Sequence, residues 1–155
     1  MALAAVLSFS CTSEELTNEA IDTMSLPIAP PVKPIEIEIL ELINAHRISE
    51  GLTALNNHGT IKAVAYTHTD YMVEVDNVSH DNFYQRKTSL IDNTDASKVS
   101  ENVAYAYSNA QSVVNAWLNS DGHRQNIEGD FTDFDISAEQ NKNGQWYFTN
   151  IFVKR

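Results

Sequence analysis

The stretch Val113-Val114-Asn115-Ala116-Trp117-Leu118-Asn119-Ser120-Asp121-Gly122-His123-Arg124-Gln125-Asn126-Ile127 decides how this chain is read. Val113, Ala116 and Trp117 recur at helical spacing and predict a shared buried stripe. Gly122 stands where that helix is expected to stop, because glycine takes the left-handed conformation that ends many helices. His123 is the first side chain after the expected stop, with Arg124 and Asn126 beside it. A histidine held just past a rigid helix end marks a candidate site.

Downstream, residues 131–138 and 146–153 alternate apolar and polar side chains. Asn141-Lys142-Asn143-Gly144 between them is a strong turn signal, so the chain is expected to close with a β-hairpin. Upstream, Pro34 suits the first turn of a helix, and Ile35, Ile39, Leu42, Ile43 and His46 share one face of it. Glu36, Glu38 and Glu41 fall mostly elsewhere, Asn44 and Arg47 read as solvated or hydrogen-bonded, and Gly51 is the expected stop. A second helix is predicted from about Thr60 to Asp76, with Ile61, Ala65, His68, Met72 and Val75 as its stripe. His46 and His68 therefore read as core histidines with a satisfied nitrogen, and His58 as a loop residue.

Residues 81–98 have no strong period and predict a loop with a short helix around Phe83 to Arg86. Glu101 directly precedes a small apolar run. It reads either as a partly enclosed carboxylate or as one stabilised at a helix N-terminus. Helices first and a hairpin last give an α+β class, with helices packed on a small antiparallel sheet.

The 155 residues suit one domain plus a tail, and an apolar fraction of 43% is that of a chain with a core. Cys11 is the sole cysteine, so no internal disulfide can form and packing must hold the fold. The net charge of −11 repels phosphate backbones, and no Lys/Arg cluster offsets it, which argues against nucleic acid as a partner. The same sign disfavours adsorption to anionic lipid.

Residues 1–11 form a short apolar run that ends in Ser10-Cys11, as at the end of a bacterial lipoprotein signal peptide. Cys11 is then the expected lipidation site, and a lipid anchor there the expected membrane attachment. Residues 12–34 are acidic and then carry Pro27, Pro30, Pro31 and Pro34, which reads as an extended tether. The folded domain is expected over 35–155. The protein is expected to be exported, either lipid-anchored in the cell envelope or extracellular, and monomeric.

His80, Glu101 and His123 are the ionisable residues that helical stripes leave unexplained. Two imidazoles and a carboxylate can share a proton network or hold a divalent metal with open positions. From about Ile39 to Val153 the chain resembles a CAP domain (cysteine-rich secretory protein, antigen 5 and pathogenesis-related 1; SCP-like) of the compact bacterial type. Matching pieces run in the family's order. They are Leu42-Ile43-Asn44 with Arg47, Ser79-His80, Glu101-Asn102-Val103-Ala104, Trp117-Leu118-Asn119-Ser120, Gly122-His123-Arg124 with Asn126-Ile127, and Trp146 through Phe152. The resemblance implies a three-layer α-β-α sandwich. It implies that His80 and His123 match the two cleft histidines of eukaryotic members, which can bind a divalent metal such as zinc, and that Glu101 matches the first of their two glutamates. Ser120 occupies the place of the second glutamate, which removes one carboxylate.

The resemblance implies an exported domain that binds a ligand or partner in a cleft around His80, Glu101, Ser120 and His123. One alternative is a hydrolase, with a histidine as general base oriented by Glu101 or with zinc-activated water. Another is a polar trio that only pins helices to the sheet.

Overall fold

The computed structural model describes residues 26–155. The expected signal segment, Cys11 and most of the expected tether lie outside them. Pro34 opens α1 (Pro34–Ser49), and Ile39 and Ile43 are fully buried as its stripe predicts. Glu36 departs from expectation by turning inward. Its carboxylate accepts from the Lys33 and Ala138 backbone N–H groups at 2.7 and 2.9 Å and from Lys62 Nζ at 2.8 Å. A helix start has unpaired N–H groups, and here one carboxylate serves that start and the sheet together. Arg47 is buried and donates to the carbonyls of Thr53, Ile127 and Gly129, while Asn44 exchanges two hydrogen bonds with the backbone of Leu55. His46 lies half-buried, off the core, 2.9 Å from a Glu128 oxygen.

A two-residue strand, β1 (Asn56–Asn57), follows, which alternation could not reveal at that length. His58 then caps α2 (Gly59–Val75), accepting from Thr60 N–H. Ile61, Ala65, His68 and Met72 are buried, but Val75 at the end of the stripe is exposed. The expected single turn near Phe83 is a full helix, α3 (Phe83–Thr94). Its inner face is Phe83, Arg86, Leu90 and Thr94, and the two polar members disguise the apolar period.

Glu101 lies in a strand, β2 (Lys98–Tyr105), which removes the helix N-terminal reading. The opening stretch is two helices, α4 (Ala110–Leu118) and α5 (Asp121–Ile127). Gly122 is not the stop. Asn119 closes α4, Ser120 is extended at φ −107°, and Gly122 sits inside the first turn of α5. His123 is therefore a helical residue. Arg124 makes the elbow, bonding the Leu118 carbonyl and Asp121.

The hairpin stands as predicted: β3 (Asp133–Gln140) pairs with β4 (Trp146–Lys154) from Asp133↔Val153 to Gln140↔Trp146. Gly144 turns it at φ +76°, with Asn141 accepting from Asn143 and Gln145 N–H. The sheet order is β1-β3-β4-β2, antiparallel except for the short parallel β1–β3 pair at one edge.

Alternation of side chains gives the sheet two covered faces. Phe134, Ile136, Phe148 and Phe152 pack with Ile39, Ile43, Val113, Trp117 and Ile127 from α1, α4 and α5. Val99, Ile151 and Val153 pack with Ile61, Val64, Ala65 and Leu90 from α2 and α3. This is the three-layer α-β-α sandwich. Leu26, in the segment before α1, also packs on the second core. Among the described residues no helix is long and apolar enough to cross a membrane.

Candidate functional site

The site forms over the free edge of β2. Among the described residues that strand pairs with β4 alone, so its other side faces outward. Its side chains alternate between the layers: Glu101 points to α3 and Asn102 to α5.

Glu101 is the centre. Its side chain is 1% exposed, and both oxygens are engaged. Arg86 donates from Nε to Oε2 and from Nη2 to Oε1, each at 2.8 Å, in a bidentate fork. His80 Nδ1 lies 2.9 Å from Oε1. Burial by itself pushes the Glu101 carboxyl up. The hydrogen bonds from His80 and Arg86, together with the Arg86 charge, outweigh that and hold it below the usual carboxylate range. An ionised carboxylate only accepts, so the shared proton sits on His80 Nδ1. This leaves Nε2 as the group that His80 can offer outward. The His80 side chain is 53% exposed, unlike its two buried partners.

The loop before α3 holds His80 in place. Arg86 Nη1 donates to the Asp81 carbonyl at 2.6 Å, and Asn82 turns the chain in the left-handed region at φ +60°. On the other side, His68 Nε2 donates to the Ser79 carbonyl at 2.7 Å. Burial and the nearby Arg86 charge push the His68 pKa down, so it stays neutral, as a core histidine should. His68 thus supports the loop and is not itself exposed in the cleft.

From the opposite layer, Asn126 Nδ2 donates to the Glu101 carbonyl at 3.2 Å and to Asn102 Oδ1 at 2.8 Å. Asn102 Nδ2 in turn donates to the His123 carbonyl at 3.1 Å. A cleft of about 270 Å³ opens between the layers, lined by His80, Phe83, Val99, Ser100, Glu101 and Asn126. The structure therefore brings His80 and Glu101 directly together. His123 flanks them without lining the cleft. Burial pushes its pKa down, and His80 lies near enough to lower it further. Ser120 makes no capping bond with its side chain at the start of α5 and does not line the cleft.

Arg86 was not among the residues singled out from the sequence. Its signal was there, because Phe83, Arg86, Leu90 and Thr94 fall on one helical face. An arginine on such a face requires acceptors for its guanidinium, which a carboxylate or, as at Arg47, backbone carbonyls can supply.

Glu101 does not fit as a metal ligand while Arg86 and His80 occupy both its oxygens. Among the described residues, no three His, Cys, Asp or Glu side chains are grouped as a metal would need. Two histidines supply half of a tetrahedral zinc shell, so the donor set present does not fit a zinc site.

The sandwich and the cleft over its edge strand define a CAP domain. Residues 40–152 match the CAP family, described as the cysteine-rich secretory protein family, and the chain belongs to it. The chain is 32% identical over 126 residues to the uncharacterized membrane protein YlbC of Bacillus subtilis strain 168, across 77% of this chain and 34% of that protein. It is 30% identical over 123 residues to the uncharacterized protein YkwD of the same organism, across 75% of this chain and 47% of that one. It thus spans about a third and about half of these relatives. Among solved structures, an outer surface protein from Borrelia burgdorferi matches with a TM-score of 0.72 at 22% identity, over 81% of this chain and 96% of that one. An extracellular SCP-domain protein from Bacillus anthracis str. Ames matches with a TM-score of 0.69 at 23% identity, over 82% of this chain and 45% of that one. These two likenesses establish the fold.

Two outcomes follow from the geometry. Glu101→Gln leaves Arg86 buried without its anion and is expected to lower stability at pH 7 by about 3–5 kcal/mol. Glu101 has a lower pKa folded than unfolded. Its contribution is therefore present above the unfolded carboxyl pKa and is lost as pH falls through the folded one. Urea midpoints for wild type and Glu101→Gln should converge on acidification; parallel pH curves would refute the role given to Glu101. Separately, His80→Ala removes a charge that disfavours protonation of His123. In an NMR titration the His123 pKa should rise in this variant yet stay below the ordinary histidine value, because burial persists. An unchanged His123 titration would mean that the two rings are not neighbours.

Proposed function

We propose that this chain is an exported, envelope-associated CAP domain that binds a ligand or partner in the cleft at the β2 edge. The observation that carries the binding role is the contrast within one triad. A buried Arg86–Glu101 pair fixes a half-exposed His80 at the mouth of an open cleft. A polar trio serving only to pin layers together would bury all its members, whereas here the outermost imidazole is oriented and presented to solvent. Export is supported by the names of similar proteins, one called a membrane protein, one extracellular and one an outer surface protein. The net charge of −11 is consistent with a domain that stays in water near an envelope.

The experiment is affinity capture from envelope extract with the immobilised protein and with His80→Ala/His123→Ala. The Arg86 fork still compensates Glu101 in the double variant, which should therefore keep the far-UV spectrum and cooperative unfolding of wild type at some loss of stability. A component retained by wild type and lost by the variant is the expected result. Equal retention by both would remove the cleft from function. Fractionation of producing cells checks location, and recovery in the cytosol alone would overturn export.

A further inference from the structure

The nature of the ligand can be read from the floor of the cleft, given that the cleft is a ligand site at all. That floor is backbone. Ala106 N–H bonds the Trp146 carbonyl at 2.8 Å, and Glu101↔Ile151 and Asn102↔Asn150 are successive pairs in the register. Even-numbered residues of β2 therefore bond to β4, and the N–H and C=O groups of Val99, Glu101 and Val103 point away from the sheet.

Side chains of the chain itself cover part of this edge. The Glu101 carbonyl accepts from Asn126 Nδ2 at 3.2 Å, and the Val103 carbonyl accepts from Trp117 Nε1 at 3.1 Å. Toward the cleft the hydrogen-bonding cover stops, on residues that are themselves little exposed, Val99 at 8% and Glu101 at 6%. Among the described residues, nothing bonds the outward N–H or C=O of Val99 or the outward N–H of Glu101. Ser100 lies between them, and its buried Oγ also lacks a partner. Lys98, the residue placed to guard such an edge, is folded back with Nζ 4.4 Å from the Phe131 ring centroid.

We propose that the cleft takes an extended polypeptide segment, which adds a short fifth strand to β2 at Val99–Glu101. The Val99 carbonyl and Glu101 N–H stand on either side of Ser100, at the spacing of one peptide unit. A residue of a parallel segment meets both with its own N–H and C=O, and an antiparallel one pairs with Val99. Alternate side chains of the segment then fall on two banks, one formed by Phe83 and His80 and the other by Asn126. A glycan would draw on side-chain carboxylates, and those of Glu101 are already engaged by Arg86 and His80.

The test uses an array of acetylated, amidated octapeptides of randomised sequence, followed by N-methyl scanning of the best binder. N-methylation should weaken binding about tenfold at alternate residues of a short central run and leave the residues between them nearly unaffected. Val99→Pro, which removes an outward N–H without breaking a bond to β4, should weaken an antiparallel binder to a similar extent and a parallel one, held by the Val99 carbonyl and Glu101 N–H, much less. The N-methyl scan reads the wild-type protein, so it stands even if that variant does not fold. Tolerance of N-methylation at every position would overturn the strand pairing. An array that binds nothing would overturn the peptide as ligand. If His80-dependent capture from envelope extract persists in that case, the cleft is still a binding site and only its ligand class is wrong.

Discussion

Glu101 sits where the edge strand, the loop before α3 and the elbow of α5 meet, and its charge has to be neutralised there. Leaving a carboxylate uncompensated at that depth would be strongly unfavourable, and the bidentate fork of Arg86 compensates it. The same arginine holds the Asp81 carbonyl, so neutralising Glu101 also shapes the loop that carries His80. One ion pair thus couples the α2–α3 layer to the sheet and sets the orientation of the outermost imidazole. The residue that contacts solvent is positioned by two that do not.

The opposite layer is attached by amides. Asn126 and Asn102 form a chain that runs from the Glu101 carbonyl to the His123 carbonyl, and Trp117 bonds the strand two residues further along. With one cysteine in the chain, disulfides have no part in this. The edge strand is stitched to α4 and α5 by side chains that take the place of a neighbouring strand. The cleft is the part of the edge where that stitching ends.

Much of this was legible in the sequence where periodicity is strong. The stripes of α1 and α2 and the alternation of β3 and β4 placed those elements within a residue or two. Elements were missed where polar residues serve as core. Arg86 and Thr94 broke the apparent period of α3, and Glu36 faced inward where its charge suggested solvent. Gly122 misled for a different reason: glycine marks a helix end only when the left-handed conformation is used, and here it is not. His80 and Glu101 were found because no stripe explained them. Arg86 was missed because the helix expected there ended at Arg86 itself, too short to show that Leu90 and Thr94 continue its face.

The segment before α1 is fastened at two points. Leu26 lies against the second core, and Lys33 is held by Glu139 and sits beside Glu36. Any pull transmitted through the residues before Leu26 would first peel one leucine from an apolar surface. It would then meet ionic contacts to β3 and the buried start of α1. The order grades the response to force: a small contact yields first, and the sandwich is loaded only afterwards. Leu26 also shares a hollow with His68, Asn82 and Arg86, the residues that shape the His80 loop, so the contact that yields first under load borders the site itself.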